Sequence, residues 1–268
     1  MIKTNLFDNT ESRVVAAQKG VFSVIEYLRD ISVSPDMAQI AYFASEMNVR
    51  KRQLVAELDG KTGVIAQGGA MQLLIGQIEA SAGIRGAGDL FKKLAASTVT
   101  EEPAIKPLYT GEGTLVLEPT FNHIILLDMD TWTGDAVIED GMFLACEDTV
   151  ETVVTGRKTV SSLILGKEGL FNTTLTGSGI AALESPVPAD ELITVELDDD
   201  TLRIDGNMAV AWSSGLKFTV EKTTKTLAGS FASGEGLVNV YEGTGRVLIA
   251  PVRRNFGITA PKDGRGTP

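Results

Sequence analysis

The length, composition and charge of the chain exclude several classes of protein. It has 268 residues, of which 43% are hydrophobic and 22% charged, which predicts a globular protein with a sizeable core. Its net charge of −11 argues against nucleic-acid binding, because an acidic surface repels phosphate groups.

The first 52 residues are predicted to form an N-terminal arm, a strand and a short helix that pack on the body. Residues 20–28 are rich in β-branched and aromatic side chains, as is typical of a strand. The stretch Ser34-Pro35-Asp36 indicates a helix start. The apolar positions that follow recur at three-to-four spacing and share one helical face: Met37, Ile40, Ala41, Ala44 and Met47. We expect this face to be buried, with docking of a partner as the alternative.

A Gly-x-Gly motif followed by an apolar strand occurs three times. Its first glycines, Gly111, Gly177 and Gly243, are evenly spaced along the chain. A fixed period of this kind indicates one structural unit used three times. Residues 53–252 are therefore expected to form one β domain of three repeats, 53–119, 120–187 and 188–252. A flexible tail is expected at 253–268, where proline, glycine and basic residues lack periodicity.

Within each repeat, the pattern predicts short strands and tight turns. Each repeat opens with a predicted hairpin, whose turns lie at Asp59-Gly60, at 128–134 and at 198–200. Strands are expected on both sides of each Gly-x-Gly motif, which favours a tight hairpin over a phosphate-binding loop, since the latter needs a helix after the glycines. Five or six strands per repeat without crossover helices predict an all-β fold around a pseudo-threefold axis.

With these repeats the chain resembles the altered-inheritance-of-mitochondria family of conserved bacterial and mitochondrial proteins. The resemblance covers about Gln53 to Val252, and its clearest motifs are Ile138-Glu-Asp-Gly-Met-Phe-Leu-Ala145 and Gly234-Glu-Gly-Leu-Val-Asn-Val-Tyr-Glu-Gly-Thr-Gly245. It implies an all-β, TRAP-like fold (β-sandwich or β-helix type), grouped with the tryptophan attenuation protein. It brings no catalytic residue. Its mitochondrial members are linked to inner-membrane organisation, which implies an assembly role.

Few residues offer catalytic or metal chemistry. Cys146, the single cysteine, lies in an apolar run and is expected to be a buried small hydrophobe, while His123, the single histidine, precedes a different strand. One histidine excludes a multi-histidine metal site. The acidic stretches at 128–130 and 198–200 are expected to be solvated turns rather than calcium sites. We therefore predict no catalytic residue, cofactor or metal.

The connector in the middle of each repeat combines basic and bulky apolar residues. If the repeats are equivalent, the three connectors emerge at one end and form an apolar platform with a basic rim. Such a patch marks a partner or membrane surface; alternatively, the connector tips fold inward and fill the core. The candidate interaction surface consists of Leu90, Phe91, Leu94, Leu163, Ile164, Leu165, Leu227 and Phe231.

These patterns favour a non-enzymatic interaction or scaffold protein that forms a homo-oligomer or touches a membrane surface. The alternative is a small-ligand or carbohydrate-binding β module with weak hydrolase activity through Glu168 and Glu235, which would require carboxylates ~5–10 Å apart. RNA binding by analogy with the fold relative is opposed by the acidic charge. Neither a secretory signal nor a membrane span of ~18 apolar residues is visible, so a cytoplasmic location is expected.

Overall fold

The computed structural model describes residues 2–81, 106–156, 171–206, 208–222 and 237–252. This part of the chain contains strands throughout and one short N-terminal helix, which confirms the all-β class. The helix is α1 (Ala38–Glu46), and 3-10 turns cover Met129–Thr131 and Ala189–Glu191. The strands are β1 (Arg13–Lys19), β2 (Phe22–Tyr27), β3 (Arg52–Asp59), β4 (Val64–Ala66), β5 (Met71–Ser81), β6 (Leu108–Leu117), β7 (His123–Asp128), β8 (Ala136–Ile138), β9 (Phe143–Glu147), β10 (Val150–Gly156), β11 (Phe171–Gly177), β12 (Ile180–Ser185), β13 (Ile193–Asp205), β14 (Ala209–Ser213), β15 (Lys217–Lys222) and β16 (Leu237–Ile249).

The described strands form two antiparallel sheets. The larger has nine strands in the order β1-β2-β3-β6-β4-β9-β12-β7, with β5 also paired to β6. The smaller has seven strands in the order β10-β11-β8-β14-β16-β13, with β15 also paired to β16. The larger sheet curls until β7, at its end, contacts β3 and β1. This curl lets strands from distant parts of the chain enclose a common core.

Corresponding strand pairings occur in the three segments that are predicted to be repeats. The last strand of each segment is its central strand, because the other strands of the segment pair with its two edges. The central strands are β6 in the first segment, β11 with β12 in the second and β16 in the third. In the first segment, β3 and β4 lie on one side of the central strand β6, and β5 lies on the other side. Leu115 of β6 therefore faces both Ala56 of β3 and Leu74 of β5. Likewise, β12 lies between β7 and β9, and β16 lies between β13 and β14. The pseudo-threefold axis and the TRAP-like grouping stay predictions.

Short strands join the successive segments. β4 of the first segment pairs with β9 of the second, and β8 of the second pairs with β14 of the third. In the described residues, no corresponding ladder joins the third segment back to the first, since β13 pairs only with β16 and β5 pairs only with β6. We call each of these ladders between neighbouring segments a joint. The described part of the chain is thus a row of three segments with two joints.

The predicted opening hairpins are wrong. β3 and β4 do not pair with each other; they lie end to end along β6. β7 and β8 pair with β12 and β11, so the intervening loop carries the chain between sheets. The third predicted turn is a bulge inside β13, where Asp199 has a φ of 50° and the register shifts between Leu197 and Asp200. Acidic and glycine-rich stretches suit bulges as well as hairpins, so composition alone does not distinguish the two.

The Gly-x-Gly motifs also do not close hairpins. Gly111 and Gly113 lie inside β6, and Gly243 and Gly245 lie inside β16, with strand pairing continuing past them. The motif at 177–179 separates β11 from β12, which belong to different sheets. The expectation of strands on both sides is confirmed. At each motif the neighbouring strand changes: from β4 to β3 along β6, from β15 to β14 along β16, and from one sheet to the other between β11 and β12.

The core consists of several apolar clusters between and inside the curled sheets. Phe143, Leu183 and Ile138 belong to the cluster between the two sheets, and Phe22, Leu54 and Leu115 lie inside the larger sheet. A further cluster surrounds Trp212, whose ring lies 5.6 Å from that of Tyr241. Trp132 and Trp212 are both buried.

The N-terminal region is joined to the larger sheet by strand pairing. β1 is an edge strand and β2 pairs with β3, so the arm and the predicted strand do pack on the body. The helix begins at Ala38 rather than near Ser34, and no side chain caps its N-terminus. Its apolar face is the main difference from the prediction: Met37, Ile40 and Met47 are exposed instead of buried. The predicted tail at 253–268 lies outside the described residues.

Candidate interaction surface

The interaction surface that the sequence predicts falls outside the described part of the chain. This applies to all eight apolar connector residues and to Glu168 and Glu235. The connector platform therefore stays a prediction, and so does the carboxylate pair. The described residues place a different apolar surface, on helix α1, in contact with solvent.

Helix α1 is held on the body by a buried charge network behind it. Arg52 has a side chain 4% exposed and donates from Nε to Glu26 at 3.0 Å, and Arg50 donates to the same carboxylate at 2.7 Å. Arg50 also donates to the Ser45 carbonyl at the end of α1 at 2.8 Å. Arg52 donates to the Asn48 side-chain oxygen at 2.6 Å. One carboxylate thus organises two guanidinium groups that bind the C-terminal end of the helix and the turn after it.

The helix turns its apolar stripe away from the body. Ser45 is its buried residue, while Ile40, Phe43 and Met47 are 62%, 58% and 76% exposed. At 100° per residue, these three side chains lie on the side opposite Ser45, and Met37 extends the same stripe at the N-terminal end. With ~200 Å² for a fully exposed large side chain, the stripe exposes on the order of 500 Å². That is near the upper end for the largest apolar patch of a monomer.

The charges around the stripe are mixed. Asp36 and Glu46 lie at the two ends of the helix, and Arg50 and Lys51 follow it in the chain. Lys51 pairs with Asp30 at 3.6 Å, and Arg50 is engaged by Glu26. A helix that binds anionic lipid usually carries basic residues along its polar face. The surroundings of α1 do not have this one-sided charge, which favours an apolar protein surface as its counterpart.

A shallow polar cavity of about 380 Å³ lies beside β1, β2 and β3. Its buried group, Gln53, accepts from the Tyr27 hydroxyl at 2.8 Å and donates to the Leu117 carbonyl at 2.7 Å and to Gln72. The amide of Gln53 therefore already has partners on both atoms. The cavity offers no buried unpaired group that would point to a ligand.

In the part of the chain that the structure describes, the surroundings of the single histidine and of the acidic stretch 128–130 do not form a metal site. His123 is the first residue of β7, and burial, followed by the nearby charge of Arg52, lowers its pKa. Asp128 pairs with Lys19 at 3.0 Å, and Asp130 accepts from the Ser178 hydroxyl. Among the described residues, no cluster of three acidic, histidine or cysteine side chains is close enough to hold a metal ion.

Cys146 is a fully buried residue of β9, which confirms the expectation of a small hydrophobe. Burial raises the pKa of its thiol to about 12, so the thiolate form that acts as a nucleophile is suppressed. Its sulfur lies 3.4 Å from the Val150 carbonyl.

We expect iodoacetamide at pH 8 to alkylate Cys146 no faster than the protein unfolds, because the reagent needs both access and thiolate. Intact-mass measurement over time would check this, with the urea-unfolded protein as the fully labelled control. Labelling of the native protein at the unfolded rate would contradict the burial of this thiol.

Several structural residues were missed by the sequence analysis. Glu26, Arg52 and Gln53 lie buried or half-buried in strands, and Glu147 accepts the backbone N–H groups of Val21 and Ile180 at 3.2 and 3.0 Å. The available signal was a charged or polar residue inside an otherwise apolar strand. That signal is weak, because such residues usually face solvent on one side of a sheet.

Comparison with known proteins places the chain in a family. The family model described as mitochondrial biogenesis AIM24 matches residues 46–252. An uncharacterised protein of Streptococcus pyogenes serotype M6 is 28% identical over 167 residues, which span 61% of this chain and 65% of that protein. A crystal structure of another Streptococcus pyogenes protein, a structural genomics target, is similar with a TM-score of 0.54 and 25% identity, over 76% of this chain and 88% of that one.

Neither of the two Streptococcus pyogenes proteins carries a described role in its name. Within the described residues, no helix has the length and apolarity needed to cross a membrane. The match of the family model covers well over half of the chain and includes all three segments. The chain therefore belongs to the mitochondrial biogenesis AIM24 family.

Proposed function

We propose that this protein is a non-enzymatic interaction or scaffold protein that docks an apolar partner surface on helix α1. The observation that carries the proposal is the outward apolar stripe of Ile40, Phe43 and Met47. A charged network fixes the C-terminal end of the helix on the body, so the outward position of the stripe is held in place. Solvent-exposed apolar stripes of this size are costly unless a partner covers them.

The helix has the anatomy of a groove-binding element. Its apolar side chains follow the i, i+3, i+7 spacing with which helices enter hydrophobic grooves. Phe43 and Met47 are residue types enriched at interface centres. Phe43 also contacts Tyr42 edge-on, with ring centroids 5.5 Å apart.

Replacing Phe43 with glutamate is expected to weaken partner binding by tenfold or more, because burying an unpaired charge in an apolar interface is unfavourable. Tyr42→Glu is the matched control: Tyr42 is 60% exposed against 58% for Phe43, but it points to another side of the helix. Pull-down from the native host, quantified by mass spectrometry, would compare both variants with the wild type.

Vesicle flotation with the same three proteins identifies the kind of surface that α1 docks on. We expect a protein partner to be lost with Phe43→Glu and kept with Tyr42→Glu. Flotation of the wild type that Phe43→Glu abolishes would instead make a lipid surface the counterpart. If both variants keep every partner of the wild type and none of the three proteins floats, the proposal is wrong.

A further inference from the structure

The two joints between segments use the same strand register. In the first joint Ile65 of β4 faces Cys146 of β9, and in the second Val137 of β8 faces Trp212 of β14. Ile65 and Val137 occupy equivalent positions, because they face Leu108 and Thr174 in the central strands, which are separated by one full repeat of the sequence.

The second strand of each joint, β9 or β14, follows the same repeat spacing. Cys146 and Trp212 face Ala181 and Val247 in the central strands, which are again separated by one full repeat. One joint is therefore repeated in register, residue for residue.

This register defines which residues a third joint would bring together. Arg203 of β13 faces Val240, one repeat after Thr174, and therefore corresponds to Ile65 and Val137. Leu74 of β5 faces Leu115, one repeat before Ala181, and therefore corresponds to Cys146 and Trp212.

A third joint would accordingly place Arg203 opposite Leu74 in an antiparallel ladder. The neighbouring pairs in that register are Leu202 with Ile75 and Ile204 with Leu73. Two of these three cross-strand pairs are aliphatic on both sides, which favours pairing.

The two strands of this missing joint are open edges within the described part of the chain. β13 and β5 lie in different sheets, and each pairs with a single central strand. β9 and β14, which are covered by their joints, are buried along their whole length, whereas Met71–Ile75 is exposed or half-buried and Leu73 is 47% exposed. The same structural position is thus buried wherever the joint forms and exposed where it does not. An open, apolar edge of this kind is a template for another strand.

We propose that a second copy of this chain completes the third joint, with β13 of one copy pairing antiparallel with β5 of the next. Strand addition would supply the backbone hydrogen bonds and extend an arrangement that the chain makes twice within itself. Because the two edges differ, the contact is head-to-tail and generates a ring or a filament rather than a two-fold dimer. The inference deepens the proposed scaffold function, since it names a second copy as one partner and uses strands away from α1.

Register-specific disulfide formation tests this pairing. One chain carries Leu74→Cys and a differently sized chain carries Arg203→Cys; the buried Cys146 adds little background. On mixing under mild oxidation, we expect a cross-linked species containing one chain of each kind, and none from either variant alone. Gln77→Cys mixed with Arg203→Cys is the control, because a shift of three residues moves the sulfur atoms ~10 Å out of register.

Three results would overturn the proposal. One is the absence of a mixed disulfide. Another is a disulfide dimer of Leu74→Cys alone, which would indicate symmetric edge pairing. The third is a purely intrachain disulfide in the double variant Leu74→Cys/Arg203→Cys, which would mean that the chain closes on itself.

A charge on the edge provides a second, independent measurement. Leu73→Lys should reduce the mass measured by light scattering to that of a monomer, while Ile193→Lys, at a position 50% exposed near the other end of β13, should not. Equal masses for these two variants would contradict the assignment. Adding Phe43→Glu to the cysteine variants should leave the mixed disulfide unchanged, so that failure of α1 docking and failure of edge pairing are separately visible.

Discussion

Replacing Gly111 with alanine is expected to lower the free energy of unfolding by ~4 kcal/mol or more, at the upper end for a single substitution. Gly111 has a φ of 119°, which a residue with a Cβ rarely adopts. A Cβ there would also overlap the backbone carbonyl oxygen of Gln77 on the neighbouring strand β5. β6 cannot shift easily, because it is paired on both sides, and β5 can move away only by breaking its ladder with β6.

Gly243 provides a matched control for this prediction. It occupies the same position of the motif and has the same φ of 119°, but the nearest atom to an added Cβ is the end of the Leu216 side chain, 3.9 Å away. Gly243→Ala therefore carries the backbone strain without the overlap, and should cost roughly 1–3 kcal/mol. Urea unfolding of the two variants isolates the contribution of the close strand contact. Equal losses of stability would show that β5 moves aside at little cost.

Replacing Glu26 with glutamine is expected to cost about 3–5 kcal/mol of stability, since it removes the charge partner of a buried guanidinium group. Arg52 is 3% exposed, and its other hydrogen-bond partners, the carbonyls of Arg50 and Asn48 and the Asn48 side chain, carry no negative charge. The variant would leave Arg52 with a positive charge that no neighbouring carboxylate balances. Thermal and urea unfolding would measure the loss.

Two further variants test the cause of this loss. Asp30→Asn removes the partner of Lys51 in a pair whose side chains are 47% and 45% exposed, so its effect should be small. The double variant Glu26→Gln/Arg52→Met removes both buried charges and should recover a large part of the loss. If it is no more stable than Glu26→Gln, the uncompensated charge is not the cause.

The charge network also links stability to the proposed docking surface. Arg50 and Arg52 bind the end of α1 and the turn after it, so the helix orientation depends on Glu26. We infer that Glu26→Gln would disturb partner docking as well as stability. Phe43→Glu, by contrast, changes an exposed side chain and should leave the unfolding free energy nearly unchanged. The two variants therefore separate folding from docking.

Part of the fold was accessible from sequence patterns because those patterns reflect local chemistry. Apolar, β-branched runs predicted most strands, and proline with the three-to-four spacing predicted a short helix near residues 37–47. The even spacing of the Gly-x-Gly motifs predicted three repeats; strand pairings at corresponding positions are seen, and the threefold repeat itself stays a prediction. The burial of Cys146 followed from its residue type and its apolar neighbours in the sequence.

Strand partners were not accessible in the same way. The Asp- and Gly-containing stretches predicted hairpins, yet β3 and β4 run end to end along β6, and Asp199 sits in a bulge inside β13. A residue suited to a positive φ serves a turn, a bulge and a strand bend equally well. Only the identity of the neighbouring strand separates these outcomes, and that neighbour lies far away in the chain.

The amino-acid sequence by itself determined the all-β class and the scarcity of groups for nucleophilic or metal chemistry, because composition and periodicity express local preferences. Tertiary structure alone decided that the stripe on α1 faces outward, since Glu26, Arg50 and Arg52 meet behind the helix only after β2 and β3 pair. It likewise decided which strand edges remain open. Edges are a property of the assembled sheet, because a backbone N–H or carbonyl group is unpaired only in relation to the strands that surround it.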